Sequence, residues 1–395
     1  MMKRDTVIPG FRFSGISAGI KPHGAKDIAL IYSEEVSTIA GVFTTNRIKA
    51  APVRVDMERI KSGKGQAIIT NSGNANACTG KRGLKDAIEV AEEVAINLNI
   101  RPEYVYVAST GIIGRPLPVN KIKRAIPRAV KALSPYSIED SAVAIMTTDT
   151  FPKVATRRIK LEGKSGIIAG IAKGAGMICP KMATMLCFMF TDIAVKRDAL
   201  YTALREGVEM SFNRIMVDND MSTNDTVLIM ANGRLNNRPL TRNSPLYHCF
   251  KDAVYGVTYE LARMIALDGE GSTKLVEIVV EGAETASDAE RVARTIAKSM
   301  LVKTALYGND PNWGRIMAAI GYSGVDVYEE RIDIYIGGCK VVEKGIGLEK
   351  ERAAAILKKK EITIRVNLGL GNKKAVVLTT DLTDEYVRIN SRYSS

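Results

Sequence analysis

Two histidines, His23 and His248, are all that a chain of 395 residues carries. His248 falls in a helical stretch and His23 in a loop flanked by Pro22 and Gly24, neither in a recognisable catalytic setting. Ser–His and Cys–His catalysis therefore lack a base, and a histidine-built metal site lacks ligands. No P-loop is present, and the glycines of Gly170-Ile171-Ala172-Lys173-Gly174-Ala175-Gly176 do not fall at dinucleotide-fingerprint spacing. Those glycines serve equally well as turn residues. The five cysteines (Cys78, Cys179, Cys187, Cys249, Cys339) are odd in number and form no CxxC pair, so buried free thiols are expected rather than zinc ligands or disulfides. An enzyme with this inventory must work with hydroxyls, amines, amides and backbone donors.

One hydroxyl stands at a junction. Thr184 follows a glycine-rich, kinked segment, Lys173-Gly174-Ala175-Gly176-Met177-Ile178-Cys179-Pro180-Lys181-Met182-Ala183, and opens an apolar strand, Met185-Leu186-Cys187-Phe188-Met189-Phe190. Threonine is also simply a good strand former, and the junction alone leaves both readings open.

The surrounding elements alternate short strands with amphipathic helices, the pattern of a mixed α/β protein. Residues 66–70 predict a strand running into a loop at 71–77, then a helix with Leu84, Ala87, Ile88, Ala91, Ala95 and Leu98 at helical period. A second strand is expected over 104–108, ending in Ser109-Thr110-Gly111-Ile112-Ile113-Gly114. Residues 120–133 read as a helix that Pro127 must kink or break. A hairpin is expected from 153–162 and 166–172 about a turn at Gly163-Lys164. Further on, helices are expected near 198–212, 245–267, 288–300 and 348–358, and strands at 226–230, 274–280, 331–336, 361–366 and 374–379.

Apolar residues make up 46% and charged residues 25%, the composition of a globular chain with a buried core. The weakly polar stretch 166–190 is interrupted by Lys173, Pro180, Lys181 and glycines, which argues against a membrane span. The N-terminus lacks the apolar core of a secretory signal, and a cytoplasmic protein is expected. The net charge of +13 invites a nucleic-acid reading. Acids alternating with bases, as in Glu349-Lys350-Glu351-Arg352, and an aromatic content of 6% favour a solvated mixed-charge surface instead.

Several ordered motifs resemble one family. The segment from Lys173 to Met185 resembles the self-cleavage motif of the ornithine acetyltransferases (glutamate N-acetyltransferases) of arginine biosynthesis. The similarity extends through Gly41-Val42-Phe43-Thr44-Thr45-Asn46, Ile69-Thr70-Asn71-Ser72-Gly73-Asn74-Ala75-Asn76-Ala77 and Ala108-Ser109-Thr110-Gly111-Ile112-Ile113-Gly114. It continues through Met146-Thr147-Thr148-Asp149-Thr150, Asp218-Asn219-Asp220-Met221-Ser222-Thr223-Asn224-Asp225, the run from Lys303 to Arg315, and the tail from Asn390 to Ser395.

The resemblance implies a layered αβ sandwich of the autoproteolytic aminopeptidase and ornithine acetyltransferase type. It implies scission between Ala183 and Thr184 into an α chain (1–183) and a β chain (184–395), both furnishing site residues and assembling as two α and two β. Thr184 would be the nucleophile and, through its freed α-amine, its own base. That amine has an unperturbed pKa of about 7.7–8.0, against about 10.4 for lysine, so no histidine is required. Thr110 and Gly111 match the oxyanion hole; Thr147, Lys173, Thr184, Glu270, Asn390 and Ser395 match substrate positions. Lys173 suits a carboxylate and Glu270 an ammonium. The implied reaction carries acetyl from N2-acetyl-L-ornithine to L-glutamate without cofactor or metal, with acetyl-CoA as a further co-substrate in bifunctional members. Neither nucleic acid nor membrane is an expected partner. Two departures stand out: Ser395 replaces a threonine, and Asp384-Glu385 replaces His-Gly, which puts the local turn in doubt. An autoprocessed aminopeptidase and a basic nucleic-acid-binding protein are the competing readings.

Overall fold

The computed structural model describes residues 7–179, 185–349 and 351–392. Two compact units emerge among the described residues: 7–174, 185–213 and 220–265 in the first, and 175–179, 214–219, 266–349 and 351–392 in the second. In chain order the strands begin with β1 (Phe11–Ile16), β2 (Ile28–Phe43), β3 (Lys64–Asn74), β4 (Val105–Ile112), β5 (Lys153–Leu161), β6 (Lys164–Lys173) and β7 (Leu186–Thr191). There follow β8 (Ile215–Met216), β9 (Thr226–Ala231), β10 (Leu275–Ala283), β11 (Asp333–Ile336), β12 (Cys339–Glu343), β13 (Ile346–Gly347), β14 (Glu361–Asn367) and β15 (Lys373–Thr380).

The first unit is built on an eight-stranded sheet in the order β4-β3-β2-β9-β7-β6-β5, with β1 paired to β2. Both faces are apolar, so successive residues of one strand enter different cores. Ala29 and Ile31 join Phe11, Phe13, Phe188 and Phe190 on one side. Ile28 and Leu30 join Val90, Val94 and Ile126 on the other, under the helices Gly80–Leu98 and Val119–Lys131. That two-sided burial explains the near-continuous apolar run of β7. β5 and β6 form the expected hairpin, but the turn sits one residue earlier, at Glu162 (φ 51°) and Gly163 (φ 80°), between the paired Leu161 and Lys164. Two central residues at positive φ match the twist of the flanking strands.

The second unit carries a seven-stranded sheet, β13-β12-β11-β14-β10-β15-β8. Its strand β14 alternates strictly: Ile362, Ile364 and Val366 are buried while Glu361 and Thr363 are exposed. Its core packs Val276, Ile278 and Val280 against Ala289, Val292, Ala293 and Ile296 of the helix Ala286–Lys298.

A mixed α/β architecture is thus confirmed, and several local expectations are corrected. The helix Val119–Lys131 runs through Pro127 without breaking; the ring lies on the exposed face, where the freed carbonyl can meet water. This helix contains no acid at all, and its charge balance comes from its neighbour, through Lys123 and Glu89 at 2.8 Å. Ile88 is exposed, because the helix Gly80–Leu98 buries Ala87, Val90, Ala91, Val94 and Ala95 instead. Asn71–Asn74 belong to β3 rather than to a loop. All five cysteines are free, but only Cys187 is buried, and Cys78 is exposed at a left-handed turn position.

The expected pieces 1–183 and 184–395 do not coincide with the two units. β7 and β9, which would belong to the second piece, lie in the first unit's sheet between β2 and β6, strands of the first piece.

Candidate active site

Ala183, Thr184 and Ser395 lie outside the described residues. What the structure does describe is the residue after the expected nucleophile and the groups around it. The Met185 N–H donates to Asp225 Oδ1 at 3.0 Å, and its carbonyl accepts from Thr226 N at 3.3 Å. Met185 is therefore held by both of its backbone polar groups at the mouth of β7. Asp225 is buried, and burial pushes its carboxyl pKa well above the ordinary range, against the Met185 N–H, the Thr44 hydroxyl and Lys173. Asn224 beside it donates to the carbonyls of Ala75 at 2.6 Å and Ser109 at 2.8 Å, tying this loop to the ends of β3 and β4.

Thr110 and Gly111 lie in the closing residues of β4, not in a loop beyond it. Thr110 is buried opposite Ser72 and Asn74, and Gly111 pairs with Gly73 where the register shifts. Gly111 has φ 131°, and a Cβ there would stand 2.4 Å from the Gly73 carbonyl carbon and 2.6 Å from Asn74 N. Only glycine fits both the angle and the approach. Such an irregularity re-aims backbone groups at a strand end, as an oxyanion donor requires.

Thr147 and Lys173 are brought together by a residue to which the sequence gave no role. Asp149 accepts from Thr147 N at 3.0 Å, Gly174 N at 2.6 Å and Lys153 Nζ at 2.8 Å, with Lys173 Nζ at 3.8 Å. Lys153, Lys173 and Asp149 are all buried. Burial alone would raise the Asp149 pKa; the Lys173 and Lys153 charges and the hydrogen bonds outweigh it and hold the carboxyl well below its ordinary value. Lys21 adds a third ammonium, bonded to the Met146 carbonyl at 3.0 Å. Its pKa is lowered chiefly by burial and also by Lys173, while Asp27 and Asp149 oppose that shift. The cluster carries more positive than negative charge, which suits an anionic group of a ligand.

Within the second unit, Glu270 meets Asn390: the Asn390 amide donates to Glu270 Oε2 at 2.8 Å. Glu270 N also donates to the Ala175 carbonyl at 3.0 Å, and a Cβ on Gly176 would stand 2.2 Å from the Glu270 carboxylate. Asp218 accepts from Met177 N at 2.6 Å and Ile178 N at 2.8 Å, fixing the segment that leads toward the expected cleavage point. Asn390 ends the helix Asp384–Asn390, which Thr383 caps through Tyr386 N at 3.1 Å. The departure Asp384-Glu385 forms the first turn of this helix, where acids favour the helix dipole.

Among the described residues, no group of His, Cys, Asp or Glu side chains is gathered for a metal, and no helix is long and apolar enough to cross a membrane.

Known proteins share this sequence and fold. The ArgJ family model matches residues 12–395. The arginine biosynthesis bifunctional protein ArgJ of Geobacter sulfurreducens is 48% identical, covering 98% of this chain and 99% of that protein. Its namesake in Caldanaerobacter subterraneus is 49% identical over 97% of this chain and 96% of that protein. The crystal structure of arginine biosynthesis bifunctional protein ArgJ from Bacillus halodurans, 44% identical, covers 52% of this chain and 97% of that chain with a TM-score of 0.50. Matched in sequence from end to end, the chain belongs to the ArgJ family of bifunctional enzymes of arginine biosynthesis.

Proposed function

We propose that this protein cuts itself between Ala183 and Thr184 and then transfers acetyl from N2-acetyl-L-ornithine to L-glutamate. The Thr184 hydroxyl attacks the Ala183 carbonyl, the peptide nitrogen leaves, and an ester joins the two residues. Water opens that ester, giving a carboxylate on Ala183 and a free α-amine on Thr184. The amine then takes the proton from its own hydroxyl as Oγ attacks the acetyl carbon. Thr110 and the Gly111 N–H meet the oxyanion, each such donor being worth about 10²–10³ in rate. The ornithine amine takes up the proton and departs; the glutamate amine attacks acetyl-Thr184, and N-acetylglutamate leaves.

Lys173, set by Asp149, is the cation for a substrate carboxylate, with Thr147 beside it on the same carboxylate anchor. Glu270, set by Asn390, is the acceptor for a substrate ammonium. Ser395 supplies a terminal hydroxyl. These steps need no cofactor and no metal; acetyl-CoA is the co-substrate for a second half-reaction that acetylates glutamate directly. The working form is two α and two β pieces in the cytoplasm.

The observation that carries the reading is the hold on Met185 by Asp225 and Thr226, which fixes the residue joined to the expected nucleophile. The Bacillus halodurans chain, matched over nearly its whole length by about half of this one, has the size of a cleaved piece. Intact-mass analysis tests the scission, with 183 and 212 residues expected for the pieces of a 395-residue chain. Thr184→Ala should remain one piece and show no acetyl exchange; normal turnover by that variant would overturn the mechanism.

A further inference from the structure

A cavity of about 330 Å³ in the first unit lies outside all of these groups. Arg47, Lys49, Arg54, Thr79 and Gly80 line it, and among the described residues no carboxylate does. Arg47 and Arg54 are exposed, and their side chains have no hydrogen bond or ion pair among the described residues. Lys49 bonds only a neutral group, the Asn46 carbonyl at 2.6 Å. Three cations held around one hollow repel one another, and an anion entering it relieves that repulsion.

The lining at Thr79 and Gly80 adds backbone donors. The 19-residue helix Gly80–Leu98 begins there without an acid in its first turn. Its N-cap residue, Thr79, makes no side-chain cap; the hydroxyl donates instead to Asn76 Oδ1 at 2.8 Å. The first-turn amides are thus left for an external acceptor. Cys78 (φ 57°), Thr79 (φ −105°) and Gly80 (φ 61°) alternate in sign, a backbone form that turns successive N–H groups toward an anion. Nothing lies within 4 Å of a Cβ built on Gly80, so the approach is open. A volume near the lower end for ligand pockets holds phosphate groups and part of what they are attached to, not a whole carrier.

We infer that this cavity binds the adjacent phosphates of a phosphorylated organic ligand, of which coenzyme A is the member an acetyl transferase would use. The choice of coenzyme A rests on the direct acetylation of glutamate proposed above, whereas the ornithine-to-glutamate exchange involves no phosphate, so failure of this site and failure of the exchange mechanism are read separately.

The experiment is titration calorimetry of the wild-type protein and the double variant Arg47→Ala/Arg54→Ala with coenzyme A, inorganic diphosphate and phosphate-free pantetheine. Both arginines are exposed, and an unchanged melting temperature confirms the fold of the variant. Coenzyme A should bind saturably, compete with diphosphate and weaken as salt is raised. The double variant should lose about tenfold or more in affinity for both, since each arginine supplies charge-assisted bonds, while exchange activity stays unchanged. Diphosphate binding without coenzyme A binding would uphold the phosphate site and give it to a smaller ligand. Equal affinity in variant and wild type, pantetheine binding as tightly as coenzyme A, or no saturable binding at all would overturn it. Loss of exchange in Thr184→Ala with coenzyme A binding intact separates this site from the transfer chemistry.

Discussion

Two charged sites, one in each unit, are held in different ways. In the first, Asp149, Lys153 and Lys173 sit wholly inside, and each oxygen of Asp149 meets an amide as well as an ammonium. In the second, Glu270 lies at the edge of burial and its carboxylate bonds the exposed Asn390. A saturated interior cluster cannot relax when one member is lost, because the remaining charges keep their desolvation penalty and lose their compensation. A half-open pair can turn to water. The first arrangement suits rigid placement of a binding cation; the second suits a group that must accept and release an ammonium.

The largest effect is expected for Asp149→Ala, which strands Lys153 and Lys173. A loss of about 3–5 kcal/mol in unfolding free energy is expected, measured by denaturant titration. A loss under about 1 kcal/mol would break the contrast, since exposed pairs contribute no more than that. Gly111→Ala follows: its Cβ meets the Gly73 backbone at 2.4 Å, and displacing an oxyanion donor should lower kcat by about 10²–10³ in the exchange assay. Unchanged kcat would remove Gly111 from the oxyanion hole.

Lys303 sharpens the comparison from within the second unit, where it is buried and bonded to Thr379 Oγ1 at 3.0 Å and the Thr380 carbonyl at 2.6 Å. Burial lowers its pKa to about 8, opposed by Asp218 and Asp381. The unfolded chain then holds more protons than the folded one between about 8 and the ordinary lysine value, so stability rises with pH across that window. Thermal melts of Lys303→Met should lack this rise; the same rise in the variant would assign it to another group. The smallest effect is expected for Asn390→Ala, which removes one bond from an exposed amide to the Glu270 carboxylate. Its loss of about 1 kcal/mol should appear mainly as a raised KM. Destabilisation as large as that of Asp149→Ala would dissolve the distinction between the two sites.

Strands with uniform burial were legible from the chain alone. β9 and β14 fall where the apolar run and the alternation place them, within a residue. The long β2 was not, because Ser33, Glu34 and Glu35 interrupt its apolar pattern where the pairing with β3 shifts register. That interruption is an irregularity inside one strand. At the site, family resemblance gave Thr147, Lys173, Glu270 and Asn390, and the structure joins them in two pairs. Asp149 and Asp225 stood inside quoted motifs, yet nothing in an aspartate's letter tells whether it will be buried. Their importance comes from the sheets that enclose them, and only the fold shows that.

One consequence follows from the place of β7. It is bonded along its length to β6 on one side and to β9 on the other, and it starts two residues beyond the proposed cut. A chain end created there would not fray as ordinary termini do. Severing the backbone would release one bond of a strand already moored on both flanks, so the fresh terminus would be born in register with its surroundings. The two fragments should travel together through native chromatography and part only when the sheet itself is unfolded.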